Sequence, residues 1–87
     1  MATPISDILP PEVDAAFRAA VARDSPGREI AGIKVCAVSP YDYVVRVYIR
    51  AAVIPLPYGI YQIDLATMEV SSLHGDAAKP YVIPHYK

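Results

Sequence analysis

The chain has 87 residues, 54% of them hydrophobic and 20% charged, with a formal net charge of -1 and a single cysteine. That length supports one domain with one core, and the composition is far from the polar, charge-rich profile of a disordered chain. The charge balance gives no positive field to draw in nucleic acid or an anionic membrane, and one cysteine excludes an internal disulfide framework or a thiolate metal cluster.

The N-terminal arm, residues 1–10, reads "MATPISDILP" and lacks the charged-then-apolar pattern of a leader, and no apolar run reaches the roughly 20 residues that span a bilayer. The expectation is a cytoplasmic protein that does not enter the membrane. Residues 11–24, "PEVDAAFRAAVARD", place Val13, Phe17, Ala20 and Val21 on one stripe, with prolines at the start and Glu12 and Asp14 near the positive end of the helix dipole. One amphipathic helix is predicted there, with Asp14 and Arg18 paired on its outer side and "SPG" at 25–27 ending it.

Beyond Gly27 the period changes to two. Residues 30–38 alternate Ala31, Ile33, Val35 and Ala37 against Lys34 and Cys36, as a half-buried strand does. "SPYD" forms a turn, and residues 43–53 read as the next strand, with Val45, Val47, Ile49, Ala51 and Val53 on one face and Arg46, Tyr48 and Arg50 on the other. Pro55 and Pro57 break that ladder. A third strand, residues 58–65, sets Tyr61, Ile63 and Leu65 on the core face and Tyr58, Ile60, Gln62 and Asp64 opposite. Matching the core positions requires paired residue numbers with an even sum, near 110 or 112, and so a loop of three or five residues.

A two-residue loop at Ala66-Thr67 would pair Ile63 with Val70 and Asp64 with Glu69. Ala-Thr is a poor choice for the positive backbone angles of a tight turn, so a longer turn capped by Asp64 competes with it; in that version Asp64 does not meet Glu69. The tail, residues 74–87, is punctuated by Gly75, Pro80 and Pro84 and leaves "YVI" as a short extended contact, with Tyr81 and Ile83 on one side. The fold expected is α+β: one N-terminal helix on a four-stranded antiparallel meander (the sheet over residues 30–73), with the tail at an edge or on a partner. The predicted core is Val13, Phe17, Val21, Ile33, Val35, Val45, Val47, Ile49, Tyr61, Ile63, Leu65 and Val70.

The order helix, two long strands, then "YQIDLATMEV" resembles small PepSY-like and cystatin-like α+β modules, in which one helix crosses an antiparallel meander. Asp64 and Thr67 match the strand, Asp, Thr-Gly, strand pattern of PepSY-type sequences, and Met68 stands where they place Gly. The cystatin Gln-Val-Val-x-Gly segment is absent, with only the Val-Val of "YDYVVRV" present. The resemblance covers roughly residues 12–73 and implies the architecture, in a class of inhibitory or regulatory units usually found outside the cytoplasm; it carries over no functional residue.

The candidate chemistry is sparse. Asp64 and Glu69, with His74, form a possible polar site for acid-base work or a cation, but Arg46 and Arg50 on the neighbouring strand make a solvated charge network the plainer reading. Arg46, Tyr48 and Arg50, with Lys34 and Tyr58, form a cationic, aromatic strip, although no nucleic-acid motif accompanies it. No serine or cysteine stands beside a histidine in a recognisable catalytic motif, and neither metal-ligand spacing nor a phosphate-cradling loop is present, so no catalytic residue, metal or cofactor is assigned. The expectation is a non-catalytic protein-interaction or regulatory domain that forms a homodimer or binds a protein partner, through Arg46, Tyr48, Arg50, Tyr58, Ile60, Tyr81 and Ile83. The alternative is a small-molecule-binding protein or enzyme with a pocket between helix and sheet.

Overall fold

The computed structural model describes residues 7–81. Helix α1, Pro11–Asp24, is followed by four strands, β1 (Ile30–Val38), β2 (Asp42–Ile49), β3 (Leu56–Asp64) and β4 (Glu69–Leu73), which form one antiparallel meander in the order β1-β2-β3-β4. The arrangement is α+β, as the periodicities predict.

Helix α1 has no side-chain cap; the Pro10 carbonyl instead accepts from the Val13 and Asp14 amides. Its apolar stripe seats Val13, Phe17, Ala20 and Val21 on Ile33, Val45, Val47, Tyr61 and Ile63, all buried. Leu9 joins them from the arm. Phe17, Val21, Ile33, Val45, Val47 and Ile63 retain no more than a trace of exposure, so the space between helix and sheet is packed solid, as dense interiors are. Every residue of the predicted core is buried or packed against it. The expected Asp14 to Arg18 pair forms at 2.8 Å on the outer face.

The strands depart from strict alternation at three places. β1 shifts register between Ile30 and Gly32 and again between Val35 and Ala37, so Ala37 leaves the helix face and packs on Val44 opposite. Between β2 and β3 the register runs Asp42↔Asp64 to Val47↔Gly59, an even sum as expected but lower than 110, then slips to Tyr48↔Pro57. Tyr58 is the extra residue of that bulge, and such a residue turns the following side chains to the other face. It is therefore packed on the helix-side core, stacked on Tyr61 at 6.4 Å, rather than on the far face with Ile60.

β2 ends at Ile49, short of the predicted Val53. β1 supplies its last ladder partner at Ile30↔Ile49, and the Arg50 amide takes the Glu29 carbonyl, beyond which the chain has no neighbour to pair with. The β2–β3 connection is therefore six residues, 50–55, and not three or five.

At the β3–β4 turn each sequence reading holds in part: the longer turn capped by Asp64 forms, and Asp64 meets Glu69 all the same. Asp64 pairs with Glu69 and Ile63 with Val70, the register of the tight loop, yet the loop is four residues long and Asp64 Oδ1 accepts from the Ala66 amide. Met68 closes the turn at φ 61, a left-handed conformation that costs an L residue roughly 1–2 kcal/mol.

The chain after β4 makes two 3₁₀ turns, Gly75–Ala77 and Lys79–Tyr81, in place of an extended edge contact. Ala78 and Tyr81 pack on Val44, Ile60 and Leu73, so this segment lies on the sheet face opposite the helix. Pro80 suits a turn start, where no amide hydrogen is needed. Val82 and Ile83 lie outside the described residues.

Candidate functional site

The predicted interaction surface is dispersed by the fold. Arg46 and Ile60 are buried, 5% and 7% exposed, because the 74–81 segment covers them; Arg46 Nη2 donates to the Tyr81 carbonyl at 2.6 Å. Tyr48 is half-buried and pairs with Pro57. Arg50 reaches Glu29 at 2.9 Å and Lys34 reaches Asp7 at 3.6 Å, both at exposed positions. Tyr58 is on the helix side, and Tyr81 is a half-buried part of the cover. The cationic strip of the sequence reading is thus split among a buried arginine, two surface ion pairs and an opposite face. Ile83 lies outside the described residues.

The charge network expected to join Asp64 and Glu69 to Arg46 and Arg50 does not form. Asp42, Asp64 and Glu69 instead stand in a cross-strand row at one end of β2, β3 and β4, around a shallow cleft of about 310 Å³ that Tyr41, Gln62 and Ser71 complete. Asp42 is held by the Ser39 hydroxyl at 2.6 Å and by the Gln62 amide, and these donors, Ser39 first, keep its carboxyl below the ordinary range. Asp64 is spent on the turn. Among the described residues no group of three or more His, Cys, Asp or Glu side chains converges to hold a metal ion.

His74 belongs to a different place. A groove of about 450 Å³ at the C-terminal end of α1 is lined by Asp24, Tyr58, Tyr61, Ser72 and His74 among others. Ser72, opposite Tyr61 in the β3–β4 ladder, brings its Oγ to 2.8 Å from His74 Nε2. Tyr61 donates its hydroxyl to Asp24 Oδ2 at 3.1 Å, and the Ser25 and Tyr58 hydroxyls are hydrogen-bonded to each other. Burial first, and then the bond to Asp24, push the Tyr61 phenol well above its ordinary value. Asp24 is held below the carboxylate range chiefly by the Arg23 guanidinium, whose Nε lies 3.0 Å away.

The Ser72–His74 contact has the reach of a nucleophile and a base. What it lacks is the orienter: Asp24 is committed to Arg23 and Tyr61, and among the described residues no ion pair joins it to His74. A catalytic triad needs that third contact to fix the imidazole. The sequence reading passed over Ser72 because a two-residue spacing puts both side chains on one strand face only where the strand continues extended to His74, as its φ of -134° and ψ of 157° show it does.

The residues the sequence reading also missed as a surface are those of the β2–β3 connection. "AAVIPLP", residues 51–57, is apolar throughout, and within it Val53, Ile54 and Leu56 are 91%, 61% and 46% exposed. The end of β2 at Ile49 leaves Val53 and Ile54 outside the sheet, and Leu56 opens β3 opposite Ile49.

No family model matches the chain, and no match is found among curated proteins or solved structures. No helix of the described residues is long and apolar enough to cross a membrane.

Proposed function

We propose that this domain is a small non-catalytic interaction module that pairs with a second copy of itself through the β2–β3 connection. One observation carries the proposal: the exposed, uninterrupted apolar run that presents Val53, Ile54 and Leu56. Contiguous apolar surface of this kind marks interfaces, and a partner that covers it gains about 25 cal/mol for each Å² removed from water. The helix–sheet core is packed solid at its centre, which supports the same reading by confining any pocket of the alternative to the grooves at its margins. A regulatory role, of the kind the PepSY-like resemblance implies, would act through this surface.

Sedimentation over a concentration series tests it. The parent chain should form a dimer that the Val53→Asp, Ile54→Asp double variant loses while its monomer stays folded, because both side chains are mostly exposed in their own subunit. A parent chain that stays monomeric up to its solubility limit contradicts the proposal.

The Ser72–His74 contact in the groove at the end of α1 favours a second reading, a small-molecule-binding protein or enzyme. Labelling by a serine-directed fluorophosphonate that disappears in Ser72→Ala would support it, and an unlabelled parent chain would remove it.

A further inference from the structure

The two edges of the sheet are treated differently. On β1 the Asp7 amide donates to the Ile33 carbonyl and the Asp7 carboxylate accepts from the Val35 amide, both at 2.8 Å, which covers the middle of that edge. On β4 no described residue supplies a backbone bond to the outer side. An edge strand in an antiparallel sheet turns every second residue's amide and carbonyl outward, where they template another strand.

Beside that open edge runs a groove of about 590 Å³, between α1 and β4. Four consecutive residues, Met68 to Ser71, line it, so it follows the backbone edge and not one face of the strand. Its other wall is Ala16, Ala19 and Ala20, with Arg23 at the end nearer the helix C-terminus. We propose that this groove binds a short extended peptide as a fifth strand, independently of the β2–β3 surface.

Length and charge select a short peptide as the occupant. Five residues of β4, about 17 Å of edge, match one short extended segment. In a two-fold pairing about Ser71, Glu69 would stand opposite Leu73 and meet no cation. A peptide fits better. The alanine wall leaves room for small apolar side chains on alternate positions, while Arg23, partly neutralised by Asp24 at 3.0 Å, and Glu69 set a cation and a carboxylate at opposite ends of the groove. An antiparallel ligand strand therefore carries an acidic residue near its start, small apolar residues, and a basic residue near its end.

The probe is the blocked pentapeptide acetyl-Asp-Ala-Val-Ala-Lys-amide, titrated into ¹⁵N-labelled full chain. The shifts should centre on β4 and on Ala19 and Arg23, and charge reversal at the peptide ends or Ala19→Lys should weaken binding at least tenfold. Ala19 is exposed, so Ala19→Lys melts like the parent. N-methylation of the peptide amides should abolish binding on one alternating set and spare it on the other, which adhesion by side chains alone would not do. Binding that survives methylation of both sets, shifts that map to residues 50–57, or no shift at all would each overturn the proposal. The Val53→Asp, Ile54→Asp variant should bind the peptide like the parent, which separates this test from that of self-association.

Discussion

On the helix side of the sheet, Ile33, Val45, Val47 and Ile63 are enclosed beneath Phe17 and Val21, whereas on the other side Val44 and Ile60 are enclosed by two residues of a turn segment, Ala78 and Tyr81. Both faces belong to the same strands. They differ in what covers them: fourteen helical residues with an interlocking stripe against a pair of 3₁₀ turns fastened by one charged hydrogen bond from Arg46. The difference teaches where stability resides. A helix of about 20 Å suffices for one sheet face, and a domain of this size closes the second with its own chain.

The largest effect expected is on the helix face. Val45→Asp puts a carboxylate with no partner into a fully enclosed site, and circular dichroism should show an unfolded chain, since an unpaired buried charge costs on the order of 4 kcal/mol or more against a total of about 5–15. Arg46→Met probes the other face. It keeps the volume and removes the donor to the Tyr81 carbonyl, so denaturant unfolding should show a loss of about 1–3 kcal/mol with the fold retained.

The ends of the two faces should also separate by pH. Tyr61 is held protonated, so its contribution is complete below its ordinary value of 10.0 and is lost as pH rises above it; Tyr61→Phe should flatten the alkaline fall in melting temperature and cost about 1 kcal/mol at neutral pH. Asp42 is held ionised, so its contribution is present above its ordinary 3.8 and is lost as pH falls through the lower folded value. Asp42→Asn should flatten the acid limb and leave the alkaline one unchanged.

How far the sequence was legible follows the same division. The helix and its stripe are legible to their observed ends because one period runs through them; the ends of β1 are legible too, although two bulges break its alternation and carry Ala37 to the other face, and the Asp64↔Glu69 register follows from matching apolar positions. The bulges were not legible. A bulge shifts the period by one without changing composition, so alternation alone puts Tyr58 on the wrong face, and nothing in "LPYGIY" marks the shift beyond Pro57 and Gly59. Val53 read as a strand residue because alternation continues past Ile49, and only the length of β1, a tertiary fact, ends the ladder there. The burial of Arg46 depended on a segment thirty-five residues away. The Ser72–His74 contact likewise required knowing that the chain stays extended past β4.

Ile60 and Ile63 offer the most direct test of the contrast between the faces, because they are the same residue type on one strand, three positions apart, one beneath the turn segment and one beneath the helix. Denaturant unfolding of Ile63→Ala and Ile60→Ala should give losses toward the upper and lower ends of the roughly 2–5 kcal/mol range for such truncations, with Ile63→Ala the larger by at least about 1 kcal/mol. Equal losses, or a greater one at Ile60, would contradict the account that the helix-covered face carries the fold.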